Sequence, residues 1–376
     1  MTDARDDERV RSAAESAGSR AAGGPTAALR SRANDPDGEE EGAPPETPLA
    51  LPRGLRSDWP APRVGVYGRR GGALAAFEAA LVTGAIGGVS RLPFPVQTVV
   101  VNALARLANT VDRRHTDSAR AYVRQALGET DAAKVDALVL ASWRHLLRVT
   151  LDSTAFARAV PPERVLEHVD VELSDDVKRV IAAKKGCLLA GAHVGDWEVC
   201  SMVLPWVGFD PLYVVSRPPK NRPLSVRFQA VREARGVRLL PRRGAMQHAG
   251  AVVRAGGAFA MLLDQRARSR PVIADFFGRP ARCDRGAGVL LKRLHAPIVF
   301  AACLRAEGRF RWRFVADKVV WPDEAKALSV EELVLVVNRE LERMIRATPE
   351  QYFWLHDRYR GAAETAERAA SERSAG

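Results

Sequence analysis

The distribution of apolar positions divides the chain into stretches of different texture. Residues 1–58 have no periodic apolar pattern. Segments such as "NDPDGEEEGAPPETP" are too rich in Pro, Gly and acid to bury a core, so a disordered tail is expected there. Over 59–165 the apolar residues recur at helical spacing. "ARAYVRQAL" and "AAKVDALVLASWRHLLRVTLDS" read as amphipathic helices, and "LPFPVQTVVVNALARLANTV" as another after a Pro-marked break. Over 166–360 short apolar runs alternate with amphipathic segments. "GCLLAGAH", "DPLYVVSRP", "VRLLPR", "AFAMLLDQ" and "PIVFAACLRA" predict buried strands, with "RFRWRFVA" as a further one. "WEVCSMVLPWVG", "PLSVRFQAVREARG", "AMQHAGAVVRAGG" and "RGAGVLLKRLHA" predict the helices between them, and "VEELVLVVNRELERMIRATPEQYF" a C-terminal amphipathic helix. Strand–helix alternation of this kind implies an α/β fold, a mostly parallel central sheet flanked by helices. Residues 361–376 read as a flexible tail.

One helical segment stands apart. Gly72–Val89, "GALAAFEAALVTGAIGGV", carries a single charge, Glu78, yet is built mainly from Ala and Gly. A span needs about 20 predominantly apolar residues. The segment is read as an interfacial or packed helix.

Charge sharpens the division. Residues 1–50 hold six Arg and eleven Asp or Glu, a balance of −5, so the overall +12 leaves +17 on the rest of the 376-residue chain. Such a surplus favours anionic partners. It is concentrated between Arg217 and Arg254, which hold ten Arg or Lys and one acid, Glu233. Interleaved aromatics and recognisable nucleic-acid motifs are missing from that run, which argues against nucleic acid. The four cysteines form no CxxC pair, HExxH is absent, and no metal site or cofactor is expected.

The candidate chemistry lies in "LLAGAHVGDWEVC". His193 follows a predicted strand, and Glu198 comes five residues later. Were both helical, the two side chains would point about 140° apart. With His193 in the strand-to-helix turn and Glu198 in the first helical turns, the carboxylate can fold back on the imidazole and orient a general base. Spacing alone leaves open that His193 is merely a hydrogen-bonded turn residue and Glu198 a surface charge. Downstream, "LLDQ" sets Asp264 and Gln265 at a strand end. "DFFGRPARCDRGAG" has a Gly-rich approach to a helix that can bind an anion, with Phe276 and Phe277 read as core.

"GAHVGDWE", "SRPPKNRP", "LLDQ", "FFGRPARCDRGAG" and "PEQYFWLHDRYR" occur in that order. The series resembles the bacterial late lipid A (lauroyl/myristoyl) acyltransferases, including relatives that acylate mannosylated phosphatidylinositol. The resemblance implies a glycerolipid-acyltransferase-like fold on the cytoplasmic face of the inner membrane, peripheral or monotopic. It also implies acyl transfer from an acyl carrier protein or coenzyme A thioester to a hydroxyl of an anionic glycolipid at the membrane surface. His193 and Glu198 match the family's His-x4-Asp/Glu dyad. Arg217 matches an arginine suited to an oxyanion or a substrate phosphate. Asp264 and Gln265 match the family's "DQ" pair, with a structural or acceptor-binding role, and Asp196, Asn221 and Arg222 are further substrate-binding candidates. A thioesterase-like hydrolase and a non-catalytic lipid-binding scaffold remain as alternatives.

Overall fold

The computed structural model describes residues 39–42, 54–56, 58–59, 65–268 and 271–362. The expected tails therefore lie largely outside the described residues. One segment departs from the expectation: β1 (Glu39–Gly42) pairs antiparallel with β2 (Gly65–Gly68), although its composition predicts no strand.

Four helices follow: α1 (Ala73–Val89), α2 (Phe94–Val111), α3 (Arg113–Leu127) and α4 (Ala132–Ala159). The Asp112 and Asp131 carboxylates cap α3 and α4 by accepting first-turn amides. No helix among the described residues is long and apolar enough to cross a membrane. α1 is instead tied to the α/β region. Asn221 Nδ2 donates to the Ala75 carbonyl at 2.8 Å and to Glu78 Oε2 at 3.2 Å, and Arg70 pairs with Glu78.

The α/β region contains strands β3 (Val169–Leu173), β4 (Cys187–Gly191), β5 (Leu212–Ser216), β6 (Val237–Pro241) and β7 (Ala258–Leu262). A hairpin of β8 (Val272–Phe276) and β9 (Arg279–Cys283) precedes β10 (Ile298–Arg305) and β11 (Trp312–Val320). The main sheet has seven strands in the order β3-β11-β10-β4-β7-β5-β6. All its neighbours run parallel except β10 and β11. Helices α5 (Asp175–Ala183), α6 (Trp197–Val207), α7 (Arg222–Glu233), α8 (Ala245–Arg254), α9 (Gly286–Leu294) and α10 (Val330–Ala347) complete it.

β4 is buried at every position, as befits a central parallel strand covered on both faces. Its side chains alternate between two cores. Leu188 and Ala190 join Phe259, Met261, Leu290 and Leu341 on one face. Cys187 and Leu189 join Ala260, Leu239, Val199 and Val203 on the other. The strand and helix segments expected from the sequence are all present; β3, α5 and the β8–β9 hairpin were not anticipated. Phe276 and Phe277 are core residues, and the backbone at Phe277 and Gly278 has the positive φ of a tight hairpin turn.

Candidate active site

The site forms where β4 and β7 end. These strands are parallel neighbours with Gly191 opposite Leu262, and Leu263 continues the ladder by donating to the Gly191 carbonyl. His193 and Asp264 each lie two residues beyond that registered pair. Their side chains meet, with His193 Nδ1 2.8 Å from Asp264 Oδ1. Asp264 is almost wholly buried while the His193 side chain is 18% exposed. Burial pushes the Asp264 carboxyl up, but the adjacent His193 imidazole outweighs it and holds the carboxyl below its usual range. An ionised Asp264 can only accept, so His193 Nδ1–H donates to it, and Nε2 faces Gln265 Nε2 at 3.4 Å. Trp197 and Phe353 stand against the imidazole, with ring centroids 5.1 and 6.1 Å away.

Glu198 is not the partner of His193. Arg232 Nε and Nη2 hold both Glu198 oxygens, at 2.9 and 2.6 Å, in a bidentate pair. The physical reason is that ion pair: Glu198 lies in the first turn of α6, and its carboxylate is held by Arg232 of α7. Burial pushes the Arg232 guanidinium down, and Glu198 more than restores it. Glu198 is therefore not placed against His193; the carboxylate in contact with the imidazole is that of Asp264.

Asp196 does not face a substrate either. It is wholly buried and caps α6, accepting the Val199 amide at 3.1 Å, with Arg305 Nη2 at the same distance from its other oxygen. Burial pushes its carboxyl up to about 7, opposed by Arg305. Arg305 also binds Asp152 on α4, and neutral His145 on the same helix bonds Gly195 O at 2.8 Å. The Gly195 and Asp196 amides are already taken by the Gln351 and Cys303 carbonyls. Neither can serve an oxyanion.

A cavity of about 510 Å³ opens beside His193, between the sheet and α6. Leu189, Val214, Leu239, Ala260, Cys200 and Leu204 supply apolar wall, and Glu198, Arg232, Arg217, Arg242, Asp284 and Gln265 supply polar groups. Asn221 and Arg222 lie elsewhere. Asn221 caps α7 by accepting the Leu224 amide, and Arg222 stacks over the Tyr67 ring. Of the positions anticipated from sequence, then, His193, Gln265 and Arg217 line the cavity, and the buried Asp264 contacts His193. Glu198 is in the cavity wall with another task, and Asp196, Asn221 and Arg222 hold the fold. Sequence reasoning missed Arg232, Trp197 and Phe353, which carry no distinctive spacing, and Arg305, whose role depends on three elements meeting.

Residues 73–361 match the family described as bacterial lipid A biosynthesis acyltransferase. Two relatives are each 23% identical over 273 residues, covering 72% of this chain and 87% of the relative. They are the lipid A biosynthesis palmitoleoyltransferase of Escherichia coli (strain K12) and a lipid A biosynthesis acyltransferase of Shigella flexneri. With a match over most of its length, the chain belongs to the bacterial lipid A biosynthesis acyltransferase family and is an acyltransferase.

Proposed function

We propose that the enzyme moves a fatty acyl group from a thioester, carried by acyl carrier protein or coenzyme A, to a glycolipid hydroxyl at an anionic membrane surface. His193 acts as general base, and Asp264 fixes its tautomer. The observation that carries the reading is the Asp264–His193 pair, whose free nitrogen stands at an apolar cavity of acyl-chain scale.

His193 Nε2 takes the proton from the acceptor hydroxyl as its oxygen attacks the thioester carbonyl. The imidazolium is stabilised by Asp264. Collapse of the tetrahedral intermediate breaks the C–S bond, leaves the new C–O bond, and returns the proton to the departing thiolate. Arg217 and the Gln265 amide, which line the cavity beside His193, are assigned to the oxyanion or a substrate phosphate. Membrane contact is assigned to α1 and α2. Leu74, Phe77 and Leu81 on α1 and Val99, Leu107 and Val111 on α2 are 58–73% exposed. An apolar area of this kind suits lipid better than water, and the surrounding positive charge suits an anionic leaflet.

The test is product analysis by mass spectrometry with purified protein, acyl carrier protein and coenzyme A thioesters, and a lipid A-type acceptor in micelles. His193→Ala is expected to lower acyl transfer by at least ~10²-fold with the fold unchanged. Near-normal transfer by that variant would remove His193 from the mechanism. Full-rate release of free fatty acid without acceptor would mark a hydrolase instead.

A further inference from the structure

The segment that follows α10 runs across both loops of the dyad. The Gln351 carbonyl accepts the Gly195 amide at 2.9 Å, Val194 and Tyr352 form an antiparallel bridge, and Phe353 N donates to the His193 carbonyl at 3.0 Å. The segment is itself anchored. The Gln351 side chain accepts the Arg305 amide at 2.8 Å and donates to the Arg305 carbonyl at 3.1 Å, and Ser142 on α4 accepts the Trp354 amide at 3.0 Å. A few residues on, the same segment reaches the loop after β7. His356 Nε2 accepts the Arg266 amide at 3.1 Å, and Arg358 Nη1 donates to the Gln265 carbonyl at 2.9 Å.

These last two bonds fall on one peptide unit. The Gln265 carbonyl and the Arg266 N–H are its two polar ends, and His356 and Arg358 hold one each. A peptide unit is planar, so holding both ends fixes its plane and restricts the backbone from which the Gln265 side chain departs. That side chain places its Nε2 3.4 Å from His193 Nε2. Arg358 is wholly buried and also donates to the Arg282 carbonyl at 2.7 Å, so it belongs to the core. His356 is only partly buried. Its bond fixes its own proton as well. A backbone N–H can only donate, so Nε2 carries the lone pair and the neutral ring has its hydrogen on Nδ1. An imidazolium has no lone pair to offer and would release the amide. Burial pushes His356 down to about 4, with Arg358, His193 and Arg266 acting in the same direction and Asp264 against them, so the ring is neutral at neutral pH.

We propose that His356 is a positioning residue for the His193 centre. By accepting the Arg266 amide it fixes the Gln265–Arg266 peptide, and through that peptide it sets the Gln265 carboxamide against His193 Nε2. The role rests on the acyl-transfer reading only for its purpose, which is to present that carboxamide to the reacting carbonyl.

Two readouts test it, one of them free of turnover. In nitrogen NMR of the histidine-labelled full chain at neutral pH, His356 is expected as a neutral ring with its hydrogen on Nδ1, and His356→Ala is expected to move the His193 Nε2 signal. In steady-state acyl transfer, His356→Ala is expected to lower kcat by ~10-fold with KM for the thioester little changed, because misalignment costs rate rather than binding. His356→Gln, whose Oε1 can accept the same amide, is expected to recover most of that loss. The Gln265→Ala background decides whether the effect runs through Gln265, for there His356→Ala should cost less than ~2-fold further. A hydrogen on His356 Nε2, an unmoved His193 signal, a native kcat in His356→Ala, a Gln variant as slow as the Ala variant, or an equal cost in both backgrounds would each overturn the role. If His356→Ala does not fold, the native tautomer and the rate of His356→Gln carry the decision. Failure of the acyl-transfer reading looks different: native protein would transfer no acyl chain, while the NMR outcome, read without substrate, would still decide the role of His356.

Discussion

His193 and Asp264 stand two residues past a registered pair on neighbouring parallel strands, and that register brings an imidazole and a buried carboxylate to 2.8 Å. The carboxylate five residues from His193 in sequence is bound to Arg232 instead. The two acids should therefore fail differently. Asp264→Asn keeps the shape but removes the charge that fixes the tautomer and steadies the imidazolium, so kcat is expected to fall by ~10²–10⁴ with a changed pH–rate profile. Glu198→Gln leaves a half-desolvated Arg232, so it should lower stability by about 2–4 kcal/mol while leaving the shape of the pH–rate profile intact. The double change Glu198→Leu with Arg232→Met should recover most of that stability. Thermal melts and pH profiles of the three proteins decide it. A profile altered by Glu198→Gln and untouched by Asp264→Asn would return the orienting role to Glu198.

Much of this architecture is legible in the sequence because central parallel strands are written as unbroken apolar runs. "CLLAG" and "AFAML" are of that kind. What the sequence does not reveal is which strands are neighbours. Once β4 and β7 are adjacent, Asp264 opposite His193 follows from counting two residues past Gly191 and Leu262. Until then the nearby Glu198 is the obvious partner. β3 has a thin apolar signal because it is an edge strand with three exposed residues out of five, "VDVEL". The family resemblance implies a substrate ligand at Asp196, although an Asp just before a helix more often satisfies the helix's own amides, as it does here.

Gly195 is where the catalytic turn is least able to change. Its φ of +63° lies in the left-handed region, and a Cβ there would fall on the Cys303 carbonyl. Gly195→Ala should lose at least ~1 kcal/mol from backbone strain alone, with more from displacing β10. Because the same movement shifts His193, kcat should drop further than stability does. Urea unfolding beside steady-state rates would show this. A variant with native stability and native kcat would mean that the turn does not fix the base.

The cavity wall sets a limit on what the site accepts. Ala260 is nearly buried, lines the cavity and belongs to β7, so its position is not adjustable. Ala260→Leu adds three carbons to a confined wall, and the preferred acyl donor should become shorter by about two to four carbons. Competition between thioesters of different chain length gives the ratio directly. An unchanged preference would place the acyl chain outside this cavity.

The buried network behind the turn should show itself in the pH dependence of stability. Burial pushes His145 down to about 4 from an unfolded value of 6.5. Between those values the unfolded chain holds a proton that the native histidine does not, so this residue's contribution is lost as pH falls through the window. Asp196 acts the other way. Burial raises it to about 7 from 3.8, so the native state holds the proton between about 4 and 7 and stability declines as pH rises. Each group tilts the curve by about one proton, or ~1.4 kcal/mol per pH unit. Relative to the native protein, His145→Gln should flatten the loss of stability on acidification from pH 6.5 to 4.5, while still offering a donor to Gly195 O. Asp196→Asn should steepen it. Denaturant unfolding at several pH values measures both slopes, and using differences from the native protein cancels groups common to all three. Parallel curves for the three proteins would mean that neither residue changes its proton affinity on folding.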